Sequence, residues 1–196
     1  MKTKKYDIYS YWSDKAITKS GEVKRIGECT DGEEAVKVTE LPDEIFCWAC
    51  QCQPYRTADT EDSKVLWNKD SLLDRAHILP RSKGGDDSPA NLFLLCPNCH
   101  AEAPDTTNPR NFFSWIYYRR RHEVYSQLSE QEVRRAAEIR GIDLERLFSA
   151  ASGMDPDQMR AQLIERCGLH GGAISRSSKA MAILDILEDY VARQRL

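Results

Sequence analysis

The chain has 196 residues, 41% of them hydrophobic and 30% charged, with a formal net charge of −3. This length suits one substantial core, or a small domain with an appended lobe, and does not call for a large multidomain enzyme. No apolar run approaches the roughly 18 residues of a membrane span, and no apolar h-region follows the basic start "MKTKKYDIYSYW". A cytoplasmic protein without a membrane partner is therefore expected.

In chain order, residues 1–46 hold the short β-like runs "YDIYSYW" and "EAVKVTEL" between charged, Gly-containing turns, and they read as an extended or hairpin region. Residues 47–105 carry paired cysteines and two histidines. Within them "RSKGGDDSPAN" is a loop by composition, "LFLLC" is a brief strand, and "PNCHAEA" opens a helix. Residues 106–196 read as a helical lobe. A first helix covers Asn111–Tyr125, and a capping box of Ser129 with Glu132 starts a second that Gly141 ends. A third begins at Asp155-Pro156 and stops near Gly168, and a last one spans about Ser178–Arg193. Linkers are expected near 151–156 and 169–178.

Seven cysteines in a reducing compartment favour thiols or metal thiolates over disulfides. Cys47 and Cys50 form one Cys-x-x-Cys knuckle and Cys96 and Cys99 a second, which together supply the four ligands of tetrahedral zinc. A closed four-thiolate site keeps no open coordination position, so its role is structural and any chemistry lies elsewhere. Cys29, Cys52 and Cys167 stand outside the pattern.

Taken singly, His77 is a hydrogen-bonded structural histidine and Asn91 a turn residue. Together, His77, Asn91 and His100, spaced by fourteen and nine positions within "HILP", "GGDDSPANL" and "LCPNCH", resemble the HNH or ββα-metal nuclease family over about residues 47–105. The resemblance implies a β-hairpin followed by a helix, holding one divalent ion, Mg²⁺ or Mn²⁺ (in vitro also Ni²⁺ or Zn²⁺), against a scissile phosphate. It assigns His77 as the general base, suited by an imidazole pKa near working pH, and His100 as a metal ligand. Asn91 would fix the loop by amide hydrogen bonds, although in some family members the matching asparagine touches the metal. Gly84 and Gly85 would let that loop turn tightly.

Two positions depart from the family. Ala76 stands where many relatives have an Asp or His ligand just before the base, and Pro104 stands where many have a ligand four residues after the last histidine. Asp74, two residues before Ala76 and on the same strand face, is the candidate replacement, with Glu102 and Asp105 as others. Magnesium keeps several waters and binds through one or two protein groups plus substrate, so a depleted set is compatible with activity.

"NPRNFFSWIYYRRRH" mixes aromatics with arginines and carries four positive and no negative side chains from Thr106 to His122. Phe112, Trp115, Ile116 and the Arg119 stem lie at helical spacing and read as a core stripe, with base stacking as the rival. Arg119, Arg120 and Arg121 are either phosphate contacts or solvated charge. Arg75, Arg81 and Lys83 border the proposed site and are the better DNA-binding candidates. His122 and His170 read as surface or helix-end residues.

The expectation is an α+β protein: a ββα-metal core braced by a four-cysteine zinc site, followed by a helical lobe. Such a protein would be an endonuclease hydrolysing DNA phosphodiesters in a phage-defence, restriction or mobile-element setting, its helical lobe docking a partner protein or a second copy. The rivals are a degenerate relative serving as a nucleic-acid-binding or adaptor subunit, and an RNA-directed nuclease.

Overall fold

The computed structural model describes residues 2–39, 45–52, 62–70, 72–122, 124–168 and 174–194. His170 and residues 169–173 of the second expected linker lie outside them. The described residues divide into two compact units, those up to Val124 and those from Tyr125 onward.

The first unit opens with helix α1 (Lys5–Trp12), where the sequence suggests a strand. Tyr6, Ile8 and Trp12 fit a two-residue period, but Ile8, Tyr9 and Trp12 also share a helical face, and that face is the buried one. Strands β1 (Lys15–Thr18), β2 (Val23–Arg25) and β3 (Ala35–Lys37) form an antiparallel sheet in the order β2-β1-β3. A short helical segment follows, α2 (Ser63–Val65), whose start is capped by the Asp62 carboxylate, running on into a wide turn at Leu66–Asp70. Strand β4 (Asp74–His77) pairs antiparallel with β5 (Leu92–Leu95), placing His77 opposite Leu92 and Asp74 opposite Leu95. Helix α3 (Pro97–Glu102) comes next, with Pro97 in its first turn, and α4 (Pro109–Arg121) follows behind an Asn108 cap.

All four side chains of β5 are buried, which explains why "LFLL" shows no polar alternation. Phe93 is the hub of the core, edge-on to Trp12 at 5.2 Å, Trp48 at 4.8 Å and Phe112 at 5.4 Å between ring centroids. Such a ring removes enough apolar surface that its truncation to alanine costs about 3–5 kcal/mol. The carbonyls of Leu92 and Leu94, two residues apart on one side of the strand, accept from the Trp12 indole N–H at 2.8 Å and the Trp48 backbone N–H at 3.1 Å. Helix α1 and the first cysteine knuckle therefore cover the edge of β5 that β4 leaves open.

The boundary expected between residues 105 and 106 does not match the packing. Helix α4 buries Phe112, Phe113, Ile116 and Tyr117 in the first unit's core, as the stripe at helical spacing requires.

The second unit is helical: α5 (Val124–Arg140), α6 (Leu144–Ala150), α7 (Pro156–Arg166) and α8 (Arg176–Arg193). Val133, Ala137, Leu147, Ala180, Leu184 and Leu187 form its main core. Asp143, Asp155 and Ser175 cap the last three helices. The expected start at Ser129 is corrected, since α5 begins five residues earlier and Ser129 sits inside it with its hydroxyl buried and without a hydrogen-bond partner. A capping motif marks a helix start only where the preceding residues do not already continue the helix. Among the described residues, no helix is long and apolar enough to cross a membrane.

Candidate active site and metal centres

The two knuckles meet. The Sγ atoms of Cys47, Cys50, Cys96 and Cys99 all lie within 4.8 Å of one another, with Cys50 and Cys96 3.9 Å apart. A tetrahedron of thiolates around zinc at 2.3 Å has sulfurs about 3.8 Å apart, so the quartet fits that ion. Backbone N–H groups point at the sulfurs: Cys96 donates to Cys47 Sγ at 3.2 Å and Cys99 to Cys96 Sγ at 3.5 Å. Burial works to raise the Cys47 thiol, but hydrogen bonds from the other three thiols outweigh it and hold Cys47 well below the ordinary value. Cys50 is pushed up, first by Cys47 and then by Cys52, Cys96 and Cys99. Four thiols this close, two of them accepting backbone N–H groups, form a cluster that could hold a metal ion. Cys52 stays out of the quartet, its carbonyl accepting the Cys47 N–H at 3.1 Å.

His100 follows Cys99 directly on α3, so the knuckle that would bind metal also sets where this histidine sits. His77 ends β4 and is brought to the same region by the pairing of β4 with β5. Both rings line a cleft of about 340 Å³ together with Asp74, Arg75, Arg81 and Asp87. They also line an adjoining hollow of about 440 Å³ that reaches Asp105.

His77 Nε2 lies 2.9 Å from Asp87 Oδ1, and Arg81 donates to both oxygens of the same carboxylate, from Nε to Oδ1 at 3.0 Å and from Nη2 to Oδ2. Arg81 first, and then His77, keeps the Asp87 carboxyl below the usual carboxylate range. The loop carrying Asp87 is fastened by Asn91, whose Oδ1 accepts from the Leu79 N–H at 2.8 Å. Its Nδ2 donates to the carbonyls of Leu79 at 3.0 Å and Asp86 at 2.9 Å. Gly84 has a φ of 90°, and a Cβ on Gly85 would lie 1.8 Å from the Leu79 carbonyl oxygen. The Gly-Gly pair is thus required once for backbone conformation and once for space.

His100 Nδ1 lies 3.3 Å from Asp74 Oδ2, and both side chains are 43% exposed. The bond to Asp74 raises the His100 pKa against an opposing effect of burial. A ring nitrogen and a carboxylate oxygen are thus adjacent at the cleft wall. Among the described residues, the cysteines alone gather three or more potential ligands in one place, so any ion held by Asp74 and His100 would complete its shell with water and substrate. Glu102 is instead ion-paired with Arg119 at 2.5 Å. Ala76 is buried and supplies no ligand.

The candidate cations separate into two groups. Arg75 and Arg81 line the cleft, and Lys83 is exposed on the loop beside it. Arg119 is corrected: its side chain is 4% exposed, paired with Glu102 and stacked over Trp115 at 4.8 Å, so it cannot meet a phosphate. Arg120 is spent on the Lys37 and Val38 carbonyls, whereas Arg121 is exposed.

Sequence reasoning missed Asp87, which reads as turn composition although it stands ten residues after His77. It also missed Lys2, Thr3 and Lys5, which line the same cleft from the amino-terminal segment. Burial, and then the nearby Arg75, lowers the Lys5 ammonium to about 8.

Residues 64–105 match the family model of the HNH endonuclease. Over 45 residues the chain is 38% identical to the type IV methyl-directed restriction enzyme EcoKMcrA of Escherichia coli (strain K12), covering 23% of this chain and 16% of that enzyme. The chain therefore matches a small part of that relative's length. No solved structure matches it.

Proposed function

Starting from the HNH endonuclease domain that residues 64–105 make up, we propose that the protein is a metal-dependent endonuclease that hydrolyses DNA phosphodiester bonds in a restriction-type setting. The observation that carries this reading is the meeting of His77 and His100 in one cleft, each beside its own carboxylate. The β4–β5 hairpin and α3 serve as the ββα-metal core, and the four cysteines brace it by holding zinc.

With Nε2–H donated to Asp87, the lone pair of His77 sits on Nδ1, where it accepts a proton from water. The water oxygen forms its bond to phosphorus as the bond to the 3′-oxygen breaks, and the departing oxygen takes a proton from solvent, leaving 5′-phosphate and 3′-hydroxyl ends. Asp87 fixes the ring's tautomer and balances the imidazolium that forms. Asp74 and His100 would hold a divalent ion such as Mg²⁺ or Mn²⁺, which when bound supplies charge to the phosphate and the departing oxygen. Asn91 acts through the loop, keeping Asp87 in reach of His77. Arg75, Arg81 and Lys83 hold the DNA backbone.

Cleavage of supercoiled plasmid in Mg²⁺ or Mn²⁺ tests the reading. Removal of the base in His77→Ala is expected to slow cutting by about a hundredfold or more. Equal cutting by both proteins refutes the assignment. Duplex DNA, single-stranded DNA and RNA run side by side identify the substrate, and methylated against unmethylated plasmid tests the restriction setting that the relative's name suggests. A second reading, a degenerate relative that binds nucleic acid without cutting, draws on Ala76 and Pro104. Binding without cleavage in either ion selects it.

A further inference from the structure

The amino-terminal segment lies across the cleft and is tied to both of its walls. Thr3 Oγ1 donates to the Asp87 carbonyl on the loop, and the Arg75 Nε donates to the Thr3 carbonyl at 2.7 Å from β4. Just beyond, the Tyr6 N–H donates to Asn68 Oδ1 at 3.1 Å, holding the start of α1. This strap brings Lys2 and Lys5 to the wall of the cleft that His77 and His100 line. With Arg75 and Arg81, four cationic side chains face two carboxylates there, although the whole chain carries a net charge of −3. Of those carboxylates, Asp87 is held by Arg81 and His77, and Asp74 stands beside His100 and near Lys5, so the cations still outnumber them four to two. Half of the local positive charge comes from residues that lie more than fifty positions before the matched HNH region begins.

We propose that Lys2 and Lys5 bind backbone phosphates flanking the scissile one, delivered to the cleft by a strap that Thr3 pegs in place. The proposal rests on the nuclease reading above. A polyanion is the occupant that fits an excess of cations on an open cleft beside the proposed cutting residues. Arg75 contributes to both functions, gripping the strap through Nε and lining the cleft.

The test is the salt dependence of binding to a short DNA duplex, followed by fluorescence anisotropy with no divalent ion added. Each phosphate contact contributes a slope of about 0.9 in log affinity against log salt, or about eightfold in affinity at 0.1 M salt. The double variant Lys2→Ala/Lys5→Ala is expected to lower the slope by about 1.8, and Lys2→Ala alone by about 0.9. In Mg²⁺ the double variant should raise KM for cleavage far more than it lowers kcat, and Lys2→Arg/Lys5→Arg should restore both slope and KM. Lys2 is exposed, so its single variant keeps the test valid if the double one folds poorly. Unchanged slopes, with a wild type that binds and cuts, overturn the strap proposal alone. Tighter binding or faster cutting by the variants would mean that the strap occludes the cleft, and this also overturns it. A wild type that neither binds nor cuts overturns the nuclease reading together with the strap.

Discussion

Asn91 offers the sharpest test, because two substitutions of it separate a brace from a metal ligand. Its amide makes three hydrogen bonds to the backbone of its own loop. Each contributes roughly 0.5–1.5 kcal/mol net, and because the side chain is half-buried, water replaces part of what Asn91→Ala removes, leaving a loss of about 2 kcal/mol. Asn91→Asp keeps the size and the acceptor for Leu79 N–H but turns a carboxylate against the carbonyls of Leu79 and Asp86. That repulsion makes the isosteric change the costlier one, about 3 kcal/mol or more. Urea unfolding followed by tryptophan fluorescence reads the effect cleanly, since Trp12, Trp48, Trp67 and Trp115 are the chain's four tryptophans and all lie in the first unit. With a slope of about 1–3 kcal/mol per molar urea, the midpoint should fall by about 1 M for Ala and further for Asp. Both variants should also lose cleavage, because the loop carries Asp87. A wild-type midpoint and intact cleavage in Asn91→Asp would refute the argument and make residue 91 an oxygen donor to the cation.

Gly85→Ala should cost about 3 kcal/mol on the same urea curve, because the new methyl meets backbone at Leu79 and no side-chain rotation relieves it. Arg119→Ala should destabilise by about 2–4 kcal/mol, by breaking its pair with Glu102, while the salt slope of DNA binding stays at the wild-type value; a lower slope would return Arg119 to the phosphate contacts. Elemental analysis should find about one zinc per chain, and Cys47→Ser or Cys99→Ser should abolish both the zinc and the cooperative tryptophan transition, since zinc in such sites contributes about 10 kcal/mol or more. The folded Asp87 carboxyl is held low by Arg81 and then His77, so its contribution is full above its unfolded pKa of about 3.9 and is lost as acid carries the pH through its lower folded value. Asp87→Asn should therefore flatten the acid limb of a stability-against-pH curve, and an unchanged limb would show that the Arg81 contact contributes nothing in solution.

Donor chemistry was the most legible part of the sequence. Cysteines in paired knuckles and a His-Asn-His spacing carry constraints that few structural roles impose; the four cysteines lie together, and His77 and His100 line one cleft while Asn91 fastens the loop beside it. Helix α4 was legible for a related reason, since one wide apolar stripe leaves a single way to bury Phe112 and Ile116. Helix α1 was not, because seven aromatic-rich residues satisfy both periods and the choice is made by the Trp12 bond to β5. Arg119 looked like part of a basic cluster because charge is visible in sequence while Glu102, seventeen residues earlier, gives no local sign of its pairing. Lys2 and Lys5 were hidden for the same reason, since each reaches the cleft through a fold that brings distant segments together, whereas Asp87 was masked by the turn composition around it.

The covered side of β5 has a bearing on how this protein fails. "LFLL" is an uncharged, wholly apolar strand, and once the first knuckle lets go, its outer carbonyls become a template for any other extended chain. If the four thiols hold zinc as proposed, removing it would then produce turbidity before it produced a soluble apoprotein. A chelator used during purification would consequently be an aggregation trigger, and the remedy lies in keeping the thiols reduced and the cation supplied from expression onward.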